Sequence, residues 1–171
     1  ETGGGVAGLC AARVAAGMGA DVTVFDVDVA RMRYIDEVWG GRIGTRFSSP
    51  LAVREACGES DVVIGSVLVP GARTPHLVDH EMVLGMVPGS VLVDIAVDQG
   101  GCFEDSHPTT HADPTFVVGG SVFYCVANMP GAVPHTSTYA LTNATMRYVL
   151  LLADEGWRGA CGSVSYTHLR A

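Results

Sequence analysis

The sequence predicts an α/β fold built on a doubly wound parallel sheet, and three observations carry that prediction. A glycine-rich turn, Gly3-Gly4-Gly5-Val6-Ala7-Gly8, opens a run of small apolar residues. A short β-branched segment then ends in Asp26. Continuous apolar runs suited to buried strands alternate from there with segments of helical spacing, joined by connections short enough for βα units.

The elements follow in order. Val6 to Met18 is small and apolar, suited to a helix lying close on a sheet, and Gly19 ends it. Asp21 to Phe25 reads as a strand. Ala30 to Val38 has helical spacing with its charges on one side and is closed by Gly40-Gly41, and Arg42 to Ser48 forms a further short strand. Ser49 is the expected cap of a helix that carries Pro50 in its first turn. Asp61 to Val69 is a strand buried on both faces, turned by Pro70-Gly71. His76 to Met86 is a helix ended by Pro88-Gly89, and Ser90 to Val97 is another buried strand. Phe116 to Val118 and Val122 to Val126 supply the last strands. Thr136 to Glu155 is one long helix without a partner strand, expected to leave the sheet domain.

The glycine turn opens almost at residue 1, so the strand expected before Gly3 lies outside the sequence. In the doubly wound order that strand is central, and the chain reads as an internal fragment lacking the middle of its sheet. Residues 164–171 continue no pattern found upstream and read as a non-native tail.

Composition removes several function classes. A formal charge of −8 and a pI near 5.0 offer no footprint for a nucleic-acid backbone or an anionic membrane. With 48% hydrophobic and 16% charged residues, the chain is not a disordered tail. All 10 basic residues are Arg, which excludes any lysine-based mechanism within these residues. The 5 cysteines form no C-x-x-C pair, which suits a reduced compartment, and neither a signal peptide nor an apolar run of membrane-spanning length is evident. A cytoplasmic location is expected.

The glycine turn has the G-x-G-x-x-G spacing of a dinucleotide fingerprint, with Asp26 about 20 residues further on. Gly3 permits the tight turn, Gly5 leaves room for a diphosphate, and Gly8 allows close packing of helix on strand. The N–H groups opening the helix, at Val6 and Ala7, face the phosphates. Asp26 accepts the adenosine ribose hydroxyls and repels a 2′-phosphate, which favours NAD over NADP, although Arg31 and Arg33 stand where a 2′-phosphate would be met. By residues alone, the same pattern also suits a plain turn of an α/β fold with Asp26 as a solvated strand end.

The runs GGGVAG, AARVAAGMGADVTVFD, DVVIGSVLVPGARTPHLV, GSVLVDIAVDQGGCFE, HPTTHADPTF and FYCVANMPGAVPHTSTYALTNATMRYV closely resemble the bacterial alanine dehydrogenases over residues 3 to about 161. The related nicotinamide nucleotide transhydrogenase α chain shares the layout, but Asp98-Gln99-Gly100-Gly101 followed by Cys102-Phe103-Glu104 looks like the dehydrogenase form. The resemblance implies an NAD domain over residues 1–130 and a helix over 131–163 that returns to a substrate domain. It also implies L-alanine and pyruvate as substrates, and a homo-oligomer, typically a hexamer. The family's substrate-binding and catalytic Arg, Lys and His precede this sequence, so none of its 6 histidines takes that role.

Carried over by position, the resemblance makes Asp98 the catalytic carboxylate; the end of a buried strand agrees with this, though the residue alone equally suits a turn former. The cofactor contacts it implies are Ser48 near the adenine and Val67 and Leu68 beside the adenosine. Ile95, Ala96, Val97 and Asp98 stand beside the nicotinamide ribose, and Val126, Ala127, Asn128 and Met129 form the closing turn. Asp94 is expected to be structural. His107 departs from the family's arginine. Leu151 and Glu155 replace a metal-binding Glu and His, and neither the His76/His80 nor the His107/His111 pair has a completing ligand, so no metal is expected. A transhydrogenase-like domain and a non-catalytic NAD sensor are the alternative readings.

Overall fold

A computed structural model describes residues 3–67 and 74–163. The elements run α1 (Val6–Gly17), β1 (Thr23–Asp26), α2 (Val29–Trp39), β2 (Gly44–Phe47), α3 (Pro50–Glu59), β3 (Val62–Gly65), α4 (His80–Leu84), β4 (Val91–Asp94), β5 (Thr115–Val118), β6 (Ser121–Tyr124) and α5 (Pro134–Ser163). Short 3-10 turns occupy Val97–Gln99 and Met129–Ala132. Local chemistry accounts for most helix boundaries. Asp28 Oδ1 accepts from Ala30 N and Arg31 N to start α2, and Gly40 in the left-handed region ends it. Ser49 Oγ accepts from Ala52 N at 3.2 Å with Pro50 opening α3, as expected.

The strands confirm the α/β class and its parallel core. β1 pairs β2 in parallel, and β3, β4 and β6 form a parallel set in the order β3-β4-β6-β5. β5 departs from the doubly wound expectation by pairing antiparallel with β6. The cause is local: Gly119 and Gly120 both have positive φ and close a two-residue hairpin that other residues form only with strain.

Three further expectations change. The strand expected from Asp61 to Val69 ends at Gly65, and the expected turn at Pro70-Gly71 lies outside the described residues. The helix expected from His76 starts at His80, because Val78 makes a parallel bridge to Phe103 and Asp79 then caps the helix by accepting from Met82 N at 2.8 Å. The strand expected to reach Val97 stops at Asp94, whose side chain accepts from Ala96 N at 3.0 Å and turns the chain. Asp98 therefore lies in a 3-10 turn and not directly after the strand.

The larger core lies under β3–β6, around Phe103, Phe123, Leu92, Val83 and Met82, and a smaller one around Ala12, Val24, Ile35 and Ile43 sits between α1, α2 and β1. Among the described strands, β1 has β2 as its neighbour and β3 has β4. A cleft of about 590 Å³ runs between β1 and β3, lined by Ala12 and Ala15 of α1, Thr23 and Phe25 of β1, Cys57 of α3 and Val63 of β3.

The chain divides into two compact units after Ala127. In the second, Asn128 adopts left-handed φ of 59° and precedes a 3-10 turn, and Ser137 Oγ donates to Pro130 O at 2.8 Å at the start of α5. The long helix expected from Thr136 to Glu155 is present, and Gly156, with φ 65° and ψ 171°, separates it from a second helical stretch. Residues 164–171, the expected tail, lie outside the described residues.

Candidate functional site

Gly3 adopts φ of +109°, a conformation that favours glycine. Its N–H donates to Phe25 O at 2.8 Å, and its carbonyl accepts from Ser66 Oγ at 3.0 Å. The chain thus enters the glycine turn between the carboxyl ends of β1 and β3. A Cβ on Gly3 would lie 3.2 Å from Ser66.

The two peptides that flank the Gly4 α-carbon are each held by a side chain. Gly4 N donates to Asp26 Oδ2 at 2.7 Å, and Arg31 Nε donates to Gly4 O. Asp26 Oδ1 accepts from Asp28 N at 2.9 Å, which fixes the carboxylate's orientation. A Cβ on Gly4 would stand 3.0 Å from both Asp26 Oδ2 and Ile35 Cδ1, so a side chain there would require those two groups to give way by a few tenths of an ångström. Arg31 also lies over the Tyr34 ring, 5.2 Å from its centroid.

Gly5 is the N-cap of α1 and supplies no side-chain cap. A Cβ there would meet nothing within 4 Å, and Gly5, Val6 and Ala7 are exposed while Gly8 is buried. The first-turn N–H groups therefore open outward at the positive end of the helix, beside an acidic side chain held by the same turn. An uncapped helix start with open space over Gly5 fits a diphosphate, and Asp26 stands where a sugar hydroxyl would be taken. Ser48 follows β2, and its N–H donates to Asp26 O at 2.9 Å.

Of the remaining predicted residues, Val67, Ile95, Ala96, Val97, Asp98, Val126 and Ala127 follow the carboxyl ends of β3, β4 and β6, the same edge because these strands run parallel. Ile95 is exposed, Ala96 and Val97 are buried, and Asp98 is exposed at the tip of the 3-10 turn. Val67 is half-buried, and its carbonyl faces Cys102 Sγ at 4.0 Å. Val126 is buried in a bridge to Thr109, and Ala127 N donates to Thr109 O at 3.1 Å. Leu68 lies outside the described residues, and Asn128 and Met129 belong to the second unit.

Asp94, wholly buried, accepts from Ala96 N at 3.0 Å, Cys102 N at 2.8 Å and Ser106 Oγ at 2.5 Å. Burial and the neighbouring Asp94 charge push the Cys102 thiol up to about 12; burial alone is the main cause of the rise to about 11 at Cys57, and it also raises Cys125. These thiols stay protonated and are unsuited to nucleophilic chemistry. His107 stacks on Phe116, with centroids 3.8 Å apart. His80 is raised above its ordinary value by its hydrogen bond to Asp105. Among the described residues no group of three or more His, Cys, Asp or Glu is placed to hold a metal ion, and no helix is long and apolar enough to cross a membrane.

Sequence reasoning missed Gly4, Ser66, Ser106 and Gly65. Gly4 was visible as the middle of a triple glycine. The others act across the fold: a Cβ on Gly65 would lie 2.6 Å from Cys102 Cβ, so β3 must end in glycine for the Asp94 loop to pack against it.

Residues 2–167 match the family described as alanine dehydrogenase/PNT, C-terminal domain. Alanine dehydrogenase of Mycolicibacterium smegmatis is 64% identical over 163 residues, which cover 95% of this chain and 44% of that protein. Alanine dehydrogenase of Halomonas elongata is 60% identical over 158 residues, covering 92% of this chain and 43% of the relative. The chain therefore spans under half the length of these relatives. Among solved structures, an L-alanine dehydrogenase superposes with a TM-score of 0.86 at 49% identity, over 92% of this chain and 44% of that one. A transhydrogenase from Sinorhizobium meliloti gives 0.70 at 30% identity, over 81% and 40%.

Proposed function

The chain belongs to the alanine dehydrogenase/PNT C-terminal domain family, and from that premise we propose that it supplies the NAD-binding part of an enzyme that oxidatively deaminates L-alanine. The reaction takes L-alanine, water and NAD⁺ to pyruvate, ammonium, NADH and a proton. NAD, when bound, supplies the hydride acceptor. Everything else assigned to this chain is binding, orientation and proton handling.

The N–H groups of Val6, Ala7 and Gly8 take the diphosphate, and Gly5 lets it approach. Asp26 accepts the ribose hydroxyls with lone pairs not used by Gly4 and Asp28. Ser48 stands beside the adenine, and Val67 beside the adenosine. Ile95, Ala96 and Val97 wall the nicotinamide side, with Val126 and Ala127 at the closing turn. Asp98 exchanges a proton at its exposed carboxylate as the amine becomes a carbonyl. Arg31, bonded to the Gly4 carbonyl, serves the turn and stands beside the ribose site. A homo-oligomer in the cytoplasm, working in amino-acid catabolism, belongs to the same reading.

The observation that carries it is the uncapped start of α1 beside Asp26. The identity of 49% to the dehydrogenase structure against 30% to the transhydrogenase supports the dehydrogenase form. Calorimetric titration of the full-length protein tests it. Asp26→Ala is expected to weaken NAD binding by about 10- to 100-fold, the worth of hydrogen bonds to a charged group, and to narrow the preference over NADP. Unchanged affinity would remove the ribose assignment.

A further inference from the structure

We infer that Asp94 is a positioning residue for the turn that carries Asp98. This rests on the catalytic reading of Asp98 given above. The carboxylate is wholly buried at the last residue of β4, and the backbone donors it accepts lie on both sides of Asp98 in sequence: Ala96 N at 3.0 Å before it and Cys102 N at 2.8 Å after it. One side chain thereby ties the two ends of the loop together. Within the loop, Gln99 N donates to Ala96 O at 2.9 Å and Gly101 N to Ala96 O at 3.1 Å, which leaves Asp98 as the exposed tip of a closed ring.

The ring is anchored as well as closed. Ser106 Oγ donates to Asp94 Oδ2 at 2.5 Å, and Cys125 Sγ approaches Ser106 Oγ at 3.8 Å, which joins the loop to the residue after β6. Ile95 N donates to Gly65 O at 2.8 Å, which joins it to β3. Gly101, with φ of +78°, leaves no space for a side chain: a Cβ would stand 2.8 Å from Asp94 Oδ2 and 2.9 Å from Ser106 Cβ. Asparagine at position 94 keeps the volume but turns one acceptor into a donor facing other donors, so at least one tie must break. Asp94 touches neither solvent nor any predicted cofactor position except through the backbone it holds, so its effect on chemistry runs through where Asp98 stands.

Steady-state kinetics of the full-length enzyme test this, with NAD affinity titrated separately. Asp94→Asn is expected to lower kcat by about 10- to 100-fold, the scale of an ångström-level misplacement, while NAD affinity moves by less than about 3-fold. Combined with Asp98→Asn it should be no slower than Asp98→Asn alone, because a positioning residue has nothing left to position. If Asp94→Asn fails to fold by circular dichroism, Ser106→Ala decides, with an expected kcat loss of about 3- to 10-fold at unchanged NAD affinity. Normal kcat in the folded Asp94 variant, or in Ser106→Ala where that variant decides, overturns the inference. So does a double variant that multiplies the two losses. Full turnover in Asp98→Asn would instead overturn the catalytic reading itself, and those results are separable because Asp98→Asn leaves the Asp94 ties intact.

Discussion

The two ends of the candidate site are built differently. At the nucleotide end, the small core of Ala12, Val24, Ile35 and Ile43 supports a turn held chiefly by polar contacts: Asp26 and Arg31 on the Gly4 peptide, Ser66 on Gly3. At the Asp98 end, the loop rests on the large core of Phe103, Phe123, Leu92, Val97 and Cys102 and is tied by one buried carboxylate. The difference teaches where each kind of damage should register. Changes at the first end should alter what is bound, whereas changes at the second should alter whether the loop, and the fold around it, holds its shape.

The sharpest way to break that comparison is a pair of glycine substitutions. In Gly65→Ala the new Cβ would lie 2.6 Å from Cys102 Cβ and 2.9 Å from Phe103 Cζ, groups packed in the core, and a loss of about 1–3 kcal/mol or more is expected. In Gly5→Ala the methyl meets nothing within 4 Å and the backbone φ of −64° suits alanine, so stability should fall by no more than about 1 kcal/mol, the cost of alanine at a helix N-cap, while dinucleotide affinity falls. Urea unfolding of both in the full-length protein is the measurement. Equal midpoints would erase the distinction between the ends.

Thiol labelling sharpens it next. Cys57, Cys102 and Cys125 are buried and their thiols raised, whereas Cys10 is exposed on α1. An aromatic disulfide reagent should modify Cys10 rapidly and the three buried thiols slower by about two orders of magnitude, until denaturant is added. Rapid native-state labelling of Cys102, read by mass spectrometry, would mean that the Asp94 loop opens readily.

The smallest effect belongs to the surface of the larger half, where His80 meets Asp105 at 3.0 Å. Its folded pKa is raised above the ordinary value, so the stabilisation is fully present below the unfolded-state pKa and fades as pH rises through the folded value. Thermal midpoints taken across roughly pH 6 to 8 should drift down slightly more in the parent protein than in His80→Gln. Identical slopes would remove the pair from the account of stability.

How much of this was legible in the sequence depends on the range of the interaction. The cap at Ser49, the stop at Gly40 and the small-residue α1 rest on neighbours within one helical turn, and the structure agrees with them. The antiparallel hairpin was written in Gly119-Gly120, but unbroken apolar runs on either side hid the direction of pairing. The early end of β4 was not legible, since the Asp94 carboxylate that turns the chain also needs Cys102 and Ser106, which no local periodicity associates with it. The late start of α4 has the same origin in the bridge from Val78 to Phe103.

The order of residues alone determined that a glycine turn opens a small-residue helix, that an acidic side chain ends the next strand, and that buried apolar strands alternating with helices carry most of the rest, because each depends on backbone sterics, spacing or burial pattern. Only the tertiary structure decided that Asp26 and Arg31 hold the N–H and the carbonyl of the same residue, Gly4, that Ser66 joins β3 to the turn, and that Asp94 gathers donors from both flanks of Asp98. Such contacts form between groups far apart along the chain. They exist because folding removes those groups from water, and each buried donor must then find whichever acceptor the packing brings within reach.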